Sequence, residues 1–484
     1  MLRDPLPLSL DPLEDESLPG YLLRLSHRLE HTPARTMFLA GLTKTGRSEE
    51  RPRLSSMVHL DADTAAVFST ATRLTANETA TLCLSAFEDR YPYAAPAFKT
   101  KARTTDGKKV IRTERWLFTT STRYCPHCLA GNSSTIQREH GGAWRRSWRL
   151  PPVFACLRHR VFLEHLCPAC RQPVHFAPGS GARLLPRIKD HRLHPLQCRT
   201  TLPATNRPFD PPSCGTRLDA DATVQVPHPT RGQLALQERL SSLLTPDGPT
   251  TAVSLGEPIP LHQYFTQIRW LTSLLSLTWP AGSNLVSTAS ARDAIDTAVA
   301  ERHRRMNAAH ARKQEFKEHD TPPLDSRACA GILEAAVHIT DQTNPAEADT
   351  LLRPVLFSMG DLGWNTIWGR RYLLDQPPIQ HRLRLALDPL ILIKPTSPTR
   401  RQTIAHRRQY GPEHIPATIP QVWYDQHFRH LDITGISPRV FRRAISVRLY
   451  QETSGQPATS ATEFFGHHRP NYTTGAAHAL GRWL

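Results

Sequence analysis

The chain has 484 residues, enough for about three domains of roughly 150 residues each, and its 39% apolar content excludes global disorder. Lysine and arginine number 60 against 43 acidic residues, and the resulting net charge of +17 favours a polyanionic partner such as nucleic acid. Because no run approaches the roughly 18 apolar residues of a membrane span and no apolar signal segment opens the sequence, we expect a soluble, cytoplasmic protein with no membrane partner.

Residues 1–123 are predicted to form a helical domain. Ser17 is placed to cap a helix in which leucines and Tyr21 recur at helical spacing. A second pair of helices is predicted at Ala65–Arg73 and Glu78–Leu84, with a tight turn between them. Such a pair is compatible with a helix-turn-helix, and an ordinary helical hairpin is the alternative interpretation.

The cysteines are concentrated in one part of the chain. Of nine cysteines, seven lie between Cys125 and Cys214. In a reducing compartment such a group indicates metal binding rather than disulfides. We therefore predict a small double zinc-binding module, similar to a zinc ribbon, over residues 124–220.

The first predicted zinc site consists of a Cys-x2-Cys pair and a Cys-x2-His pair. Cys125 and Cys128 precede Cys156 and His159, and 27 residues separate the two pairs. Two tight turns of this kind supply the four tetrahedral ligands that zinc prefers. Nearby alternatives to His159 as the fourth ligand are His127, His140 and His165.

The second predicted site has four thiolates, from Cys167, Cys170, Cys198 and Cys214. Its last two ligands are separated by 15 residues rather than joined in a tight turn. Because four protein ligands leave no position for water at either site, we expect two structural Zn²⁺ ions per chain.

A basic, aromatic segment connects the predicted ligand pairs. Trp144 and Trp148 are expected to pack as core. Arg145, Arg146 and Arg149 are candidate phosphate contacts, because one guanidinium group can donate two parallel hydrogen bonds to a phosphate. A solvated basic face is the alternative for these arginines.

Residues 221–260 are rich in proline and threonine and are predicted to be a linker, whereas helical periodicity returns from Leu261 and continues through a C-terminal domain, 261–484. This domain ends in three short segments, PRVFRRAISVRLY, ATSATEFFG and PNYTTGAAHALGRWL, which are predicted to include a DNA-binding helix-turn-helix. The fold class is thus mainly α and multi-domain, with a central zinc module and helix-turn-helix elements. The candidate phosphate contacts here, with solvated helix faces as the alternative, are Arg439, Arg442, Arg443, Arg448, Arg400, Arg401, Arg407 and Arg408.

No catalytic motif is present. The sequence contains no phosphate-binding GxxxxGK[ST] loop, no GxSxG nucleophile turn and no HExxH metalloprotease motif. Acidic groups such as Glu14, Asp15 and Glu16 lie in a proline-flanked segment that we interpret as surface. We therefore expect a protein that is not an enzyme.

Several motifs, in order, resemble the TniQ family of transposition target-selection proteins, which includes the TnsD-type selectors. The motifs are RYCPHC, WRRSWRLPP, CLRHRVFL and CPACRQPV, preceded by PLPLSLDPLEDESLPGYLLRLSHRLE and followed by LHPLQCRTTL and SCG. The resemblance covers about residues 5–220 and is looser beyond residue 260. One departure is the long insertion between the last two cysteines of the second site.

The resemblance implies a non-catalytic adaptor that binds double-stranded DNA and recruits a transposase through an AAA+ ATPase. A transposase or an RNA-guided complex would be a further partner, and a homodimer is left open. The alternative is a zinc-stabilised transcription regulator or protein-interaction scaffold that has no role in transposition.

Overall fold

The computed structural model describes residues 4–44, 55–94, 115–119, 121–175, 184–185, 189–190, 193–202, 212–219, 228–314, 320–361, 383, 412–428, 437–454 and 464–465. Contacts divide the chain into two units, Met1–Asp341 (unit 1) and Gln342–Leu484 (unit 2). The described residues hold fourteen α-helices and two two-stranded antiparallel sheets, which confirms a largely helical fold. Among these helices, none combines the length and apolar character that crossing a membrane requires.

Unit 1 begins with five short helices. Helix α1 forms where the sequence predicts it, since the Ser17 hydroxyl accepts a hydrogen bond from the Gly20 amide and caps the first turn. Its buried face includes Leu18, Leu22 and Leu25 and packs beside α2. The bounds of these helices are α1 (Leu18–Arg28), α2 (Pro33–Leu39), α3 (Ser55–Val58), α4 (Ala62–Thr72) and α5 (Ala76–Thr81).

The helix pair predicted within residues 65–84 is present as α4 and α5, but both helices begin earlier than the periodicity suggests. The Asp61 carboxylate caps α4 by accepting from the Thr64 amide. Thr75 and Glu78 form a reciprocal capping box that starts α5. Polar caps therefore set the helix starts, and a helix-turn-helix role for this pair stays a prediction.

The middle of unit 1 is built from short elements around the cysteines. The strands pair in an antiparallel hairpin, with Ala155 opposite Phe162 and Cys156 opposite Val161. The elements are α6 (Pro126–Ala130), α7 (Thr135–His140), β1 (Ala155–Cys156) and β2 (Val161–Phe162).

The segment predicted as a linker, 221–260, holds regular structure from residue 231 onward. Thr230 and Gln233 form a capping box at the start of the helix α8, which the proline-rich surroundings conceal in the sequence. A four-residue antiparallel hairpin follows. The elements are α8 (Arg231–Leu244), β3 (Thr251–Ser254) and β4 (Glu257–Pro260).

Gln237 joins α8 to the chain just before the β1–β2 hairpin. Its side chain is fully buried, and its Oε1 accepts hydrogen bonds from the amides of Phe154 and Ala155 at 2.7 and 2.8 Å. Gln237→Leu would leave both buried amides without partners, so we expect chemical denaturation to show a loss of about 2–5 kcal/mol. Ser241→Ala, which removes only the hydroxyl that accepts from the Gln237 Nε2, should cost about 1 kcal/mol. Equal losses would contradict this role of Gln237.

Three long helices complete unit 1, in the region where the sequence predicts helical periodicity. Helix α11 is buried over most of its length and packs against the other two. The helices are α9 (Leu261–Leu277), α10 (Ala289–Ala311) and α11 (Ser326–Thr340).

Unit 2 is helical in its described part. PRVFRRAISVRLY lies on a long helix, as predicted, while residues 470–484 and the arginines at 400, 401, 407 and 408 lie outside the described residues. A buried cluster of Ile419, Tyr424, Phe428, Phe441 and Ile445 joins the last two helices. The helices are α12 (Pro345–Asp361), α13 (Gln421–His427) and α14 (Pro438–Ser454).

Candidate metal centres

The structure brings Cys125, Cys128, Cys156 and His159 together as a first cluster. Cys125 lies at the start of α6 and Cys128 within it, whereas Cys156 and His159 lie on β1 and the turn that follows. The His159 Nδ1 atom lies 3.4 Å from the Cys125 sulfur, 3.3 Å from the Cys128 sulfur and 3.4 Å from the Cys156 sulfur. The four donor atoms are all within 4.8 Å of one another, so they could hold one metal ion.

Cys167, Cys170, Cys198 and Cys214 form a second cluster with the same compactness. The sulfurs of Cys167 and Cys214 lie 3.7 Å apart, and those of Cys170 and Cys198 lie 3.9 Å apart. These four cysteines could hold a second ion.

Donor spacing in both clusters agrees with tetrahedral coordination of zinc. A zinc ion with Zn–S distances of about 2.3 Å would separate two tetrahedral sulfurs by roughly 3.8 Å, and a sulfur and a nitrogen by roughly 3.5 Å. The sulfurs of Cys128 and Cys156 are 3.6 Å apart, and the second cluster spans 3.7–3.9 Å. The side chains are therefore arranged as a tetrahedral ion requires.

Cys198 and Cys214 are far apart in sequence, but backbone pairing brings them close together in space. Gln197 pairs with Arg217 and Thr201 with Ser213 in antiparallel bridges, which places the two cysteines side by side. The Cys214 amide donates to the Thr200 carbonyl at 2.9 Å, and the Cys198 amide donates to the Thr216 carbonyl at 2.9 Å. The insertion leaves this pairing intact.

His159 is the histidine that joins the first cluster, and the three alternatives lie elsewhere. The centroid of the His127 ring lies 5.2 Å from that of the His159 ring, and the two rings are tilted by 44°. The His140 Nδ1 atom lies 2.9 Å from the Nδ1 atom of His27 on α1. Burial lowers the pKa of His165 to about 4, which keeps that ring neutral at physiological pH.

Ionisation of the thiols is mutually dependent in both clusters. Hydrogen bonds with neighbouring thiols raise the pKa of Cys125 and lower the pKa of Cys156. In the second cluster a hydrogen bond from Cys198 lowers the pKa of Cys167 to about 5, while burial raises the pKa of Cys170 to about 11. Protein groups alone thus favour partial ionisation, and further thiolates require the charge of a bound cation.

The predicted packing of both tryptophans is confirmed, since Trp144 and Trp148 are each 3% exposed. Trp144 lies between the clusters, and its ring is 6.0 Å from the Tyr124 ring and 4.4 Å from the His175 ring. Its Nε1 donates to the Pro195 carbonyl, just before the second cluster's third cysteine. This indole therefore links the folding of the two metal centres.

Two of the three arginines beside these tryptophans serve the fold. Arg149 is 5% exposed, and its Nη1 donates to the Phe118 and Ser121 carbonyls at 2.8 and 2.9 Å. Arg146 pairs with Asp15 at 3.0 Å. Arg145 is half-buried. A buried guanidinium that donates to the backbone has no surface for phosphate, so Arg149 is not among the DNA contacts that we propose.

The acidic segment near the N-terminus differs from its prediction as surface. Glu16 is 2% exposed, and its carboxylate accepts a hydrogen bond at 2.7 Å from the fully buried Arg24 of α1. Burial raises the pKa of Glu16, and the adjacent guanidinium opposes that shift. The surface interpretation is wrong for Glu16, because its partner lies eight residues along the chain and periodicity does not reveal an ion pair.

The C-terminal arginines divide between structural and exposed positions. Arg442 donates to the Ile419 carbonyl at 2.5 Å and Arg443 donates to the Ala417 carbonyl, so both hold the segment that leads into α13. Arg439 is exposed and Arg448 is half-buried.

The first cluster lies inside a segment that has known relatives. A family model described as TniQ matches residues 7–163. This part of the chain is similar to the TniQ family. The match supports the resemblance inferred from the motifs over these residues. The match includes all four donors of the first cluster, whereas the second cluster lies beyond it. No curated protein matches the chain.

Proposed function

We propose that this chain is a DNA-binding target-selection adaptor of the TniQ type in a transposition system. The observation that carries the proposal is the family match over residues 7–163. The net charge of +17 supports a polyanionic partner. In this proposal the protein is not itself an enzyme, and it links double-stranded DNA to an AAA+ ATPase and thereby to a transposase.

Both clusters, in the same proposal, bind zinc with a structural role. The donor sets are three thiolates with one imidazole and four thiolates, which are sets that structural zinc sites use. With four protein donors at each centre, no coordination position is left for a reacting water. Zinc would supply the positive charge that lets several neighbouring thiols ionise, and the residues would stabilise unit 1 around Trp144.

Contacts with DNA are proposed for basic residues that are at least partly exposed rather than for all arginines in the basic segments. Arg439 on α14 is exposed and Arg145 near the first cluster is half-buried, whereas Arg149 is buried and donates to backbone carbonyls. Arg400, Arg401, Arg407 and Arg408 are proposed as further phosphate contacts on sequence grounds alone.

Salt dependence of DNA binding tests the proposal. If about six phosphates are neutralised, log affinity for duplex DNA should fall with log salt at a slope of roughly −5, as measured by fluorescence anisotropy. An AAA+ ATPase of a transposition system, added as the proposed partner, should be retained on DNA only when the protein is present. A slope near zero together with undiminished ATPase binding would favour the scaffold alternative, and DNA binding without any ATPase retention would favour the transcription regulator.

A further inference from the structure

The C-terminal part of helix α10 is more exposed than the part before it. Its buried residues Ala291, Ile295, Val299 and Arg302 form one stripe that faces the core. From residue 303 to the helix end at Ala311, and on to residue 314, the described chain contains no buried side chain. About two and a half turns, roughly 14 Å of helix, therefore expose most of their side chains, and only Met306 and Ala309 are half-buried.

This exposed end is strongly basic. Residues 303–314 contain three arginines and one lysine and no acidic residue, and acidic residues resume at Glu315. The one acid just before them, Glu301, pairs with Arg304 at 2.6 Å and with Arg305 at 3.7 Å, in exposed ion pairs that contribute little to stability.

Two cations at the very end of the helix lack such a pair among the residues that the structure describes. Some arginines elsewhere in the unit are held by carboxylates, as Arg239 is by Asp341 and Arg269 is by Asp320. Arg312 and Lys313 are exposed, and within the described part of the chain no carboxylate lies within salt-bridge distance of either. Their charges are therefore available to a partner.

The outer face of the helix has the shape of a groove-docking surface. The exposed alanines Ala300, Ala308 and Ala311 lie opposite the buried stripe, with Arg304 among them. Small side chains let another surface approach the helix backbone closely, and the row beside them carries His303 and Asn307, which can donate hydrogen bonds. The major groove of B-DNA, about 12 Å wide, admits an α-helix, whereas the major groove of A-form RNA is too narrow.

We infer that the exposed end of α10, residues 303–314, binds duplex DNA by lying in the major groove, with Arg304, Arg312 and Lys313 on the flanking phosphates. The inference rests on the proposed DNA-binding function and adds a DNA contact in unit 1, outside both metal centres. Phosphate contacts of this kind position a protein on DNA and carry no sequence preference.

A triple substitution in the full-length, metal-loaded protein tests the inference. Arg304→Gln, Arg312→Gln and Lys313→Gln together should reduce the magnitude of the salt slope by about 2–3, since each lost phosphate contact removes about 0.9. The probe is a random-sequence DNA duplex of about 30 base pairs, roughly three helical turns. The matched control removes the same charge from exposed positions on α2, α7 and α8, with Arg35→Gln, Arg138→Gln and Arg231→Gln, and should change the slope by less than about 1.

Each outcome of the experiment has one meaning. Equal slopes for the triple variant and the control, with wild-type DNA binding intact, overturn the inference and leave the proposed function standing. Equal losses of affinity on duplex RNA and duplex DNA overturn docking in the DNA major groove. If the wild-type protein does not bind DNA at all, the proposed function fails and the inference fails with it. Unchanged metal content and circular dichroism would show that both variants are folded.

Discussion

Cys125→Ser should lower the metal content from about two ions per chain to about one and unfold the region around the first cluster. A structural zinc site contributes on the order of 10 kcal/mol, comparable with the net stability of about 5–15 kcal/mol of a whole domain. Serine retains a weak hydroxyl ligand in place of a thiolate, so the remaining three donors would bind zinc poorly. Because Trp144 and Trp148 are buried beside the cluster, we expect their fluorescence to shift to longer wavelength.

The matched control is Cys83→Ser, at another buried free cysteine that lies outside both clusters. Burial raises the pKa of Cys83 to about 12, so this side chain is a neutral thiol at physiological pH. Elemental analysis should still find about two ions per chain in this variant. Fewer than about one zinc per chain in the wild-type protein would contradict the proposal of two zinc centres, and no metal loss in Cys125→Ser would contradict the first centre.

Ending the chain after Asp341 should leave both metal ions bound and remove most of the DNA affinity. All eight candidate ligands lie in unit 1, whereas α13, α14 and the basic residues around them belong to unit 2. We expect at least a tenfold weaker affinity at physiological salt, about 1.4 kcal/mol or more. The shortened protein should keep a weak, salt-dependent affinity through α10, which the Arg304, Arg312 and Lys313 substitutions would abolish.

Two point variants separate DNA contact from folding within unit 2. Arg439→Gln should weaken DNA binding without a change in stability, because this side chain is exposed. Arg442→Gln should lower the melting temperature instead, because Arg442 donates to the Ile419 carbonyl and to the Gln421 side chain. If the shortened protein binds DNA as tightly as the full chain, the main contact lies in unit 1, and Arg145 becomes the next residue to substitute.

Local chemistry made several features of this protein predictable from the sequence. Helix α1 begins where Ser17 caps it, and a cap acts within one turn of the helix. The pair Cys125 and Cys128 faces one point because two residues on a tight turn have little freedom. Cys156 and His159 are also separated by two residues, so the sequence alone was enough to assign both pairs to one metal site. The family motifs across residues 7–163 are likewise contiguous in the chain.

Tertiary structure alone decided features that depend on residues far apart in sequence. Bridges between residues 197–201 and 213–217 bring Cys198 beside Cys214. The spacing of the cysteines in the sequence does not predict these bridges. Burial of Arg149 against backbone carbonyls turns a candidate phosphate contact into part of the core. The exposure of α10 after Arg302 likewise depends on its tertiary packing, since the last buried residue of the helix is Arg302. A residue's charge is written in the sequence, but its access to solvent is set by which distant segments fold over it.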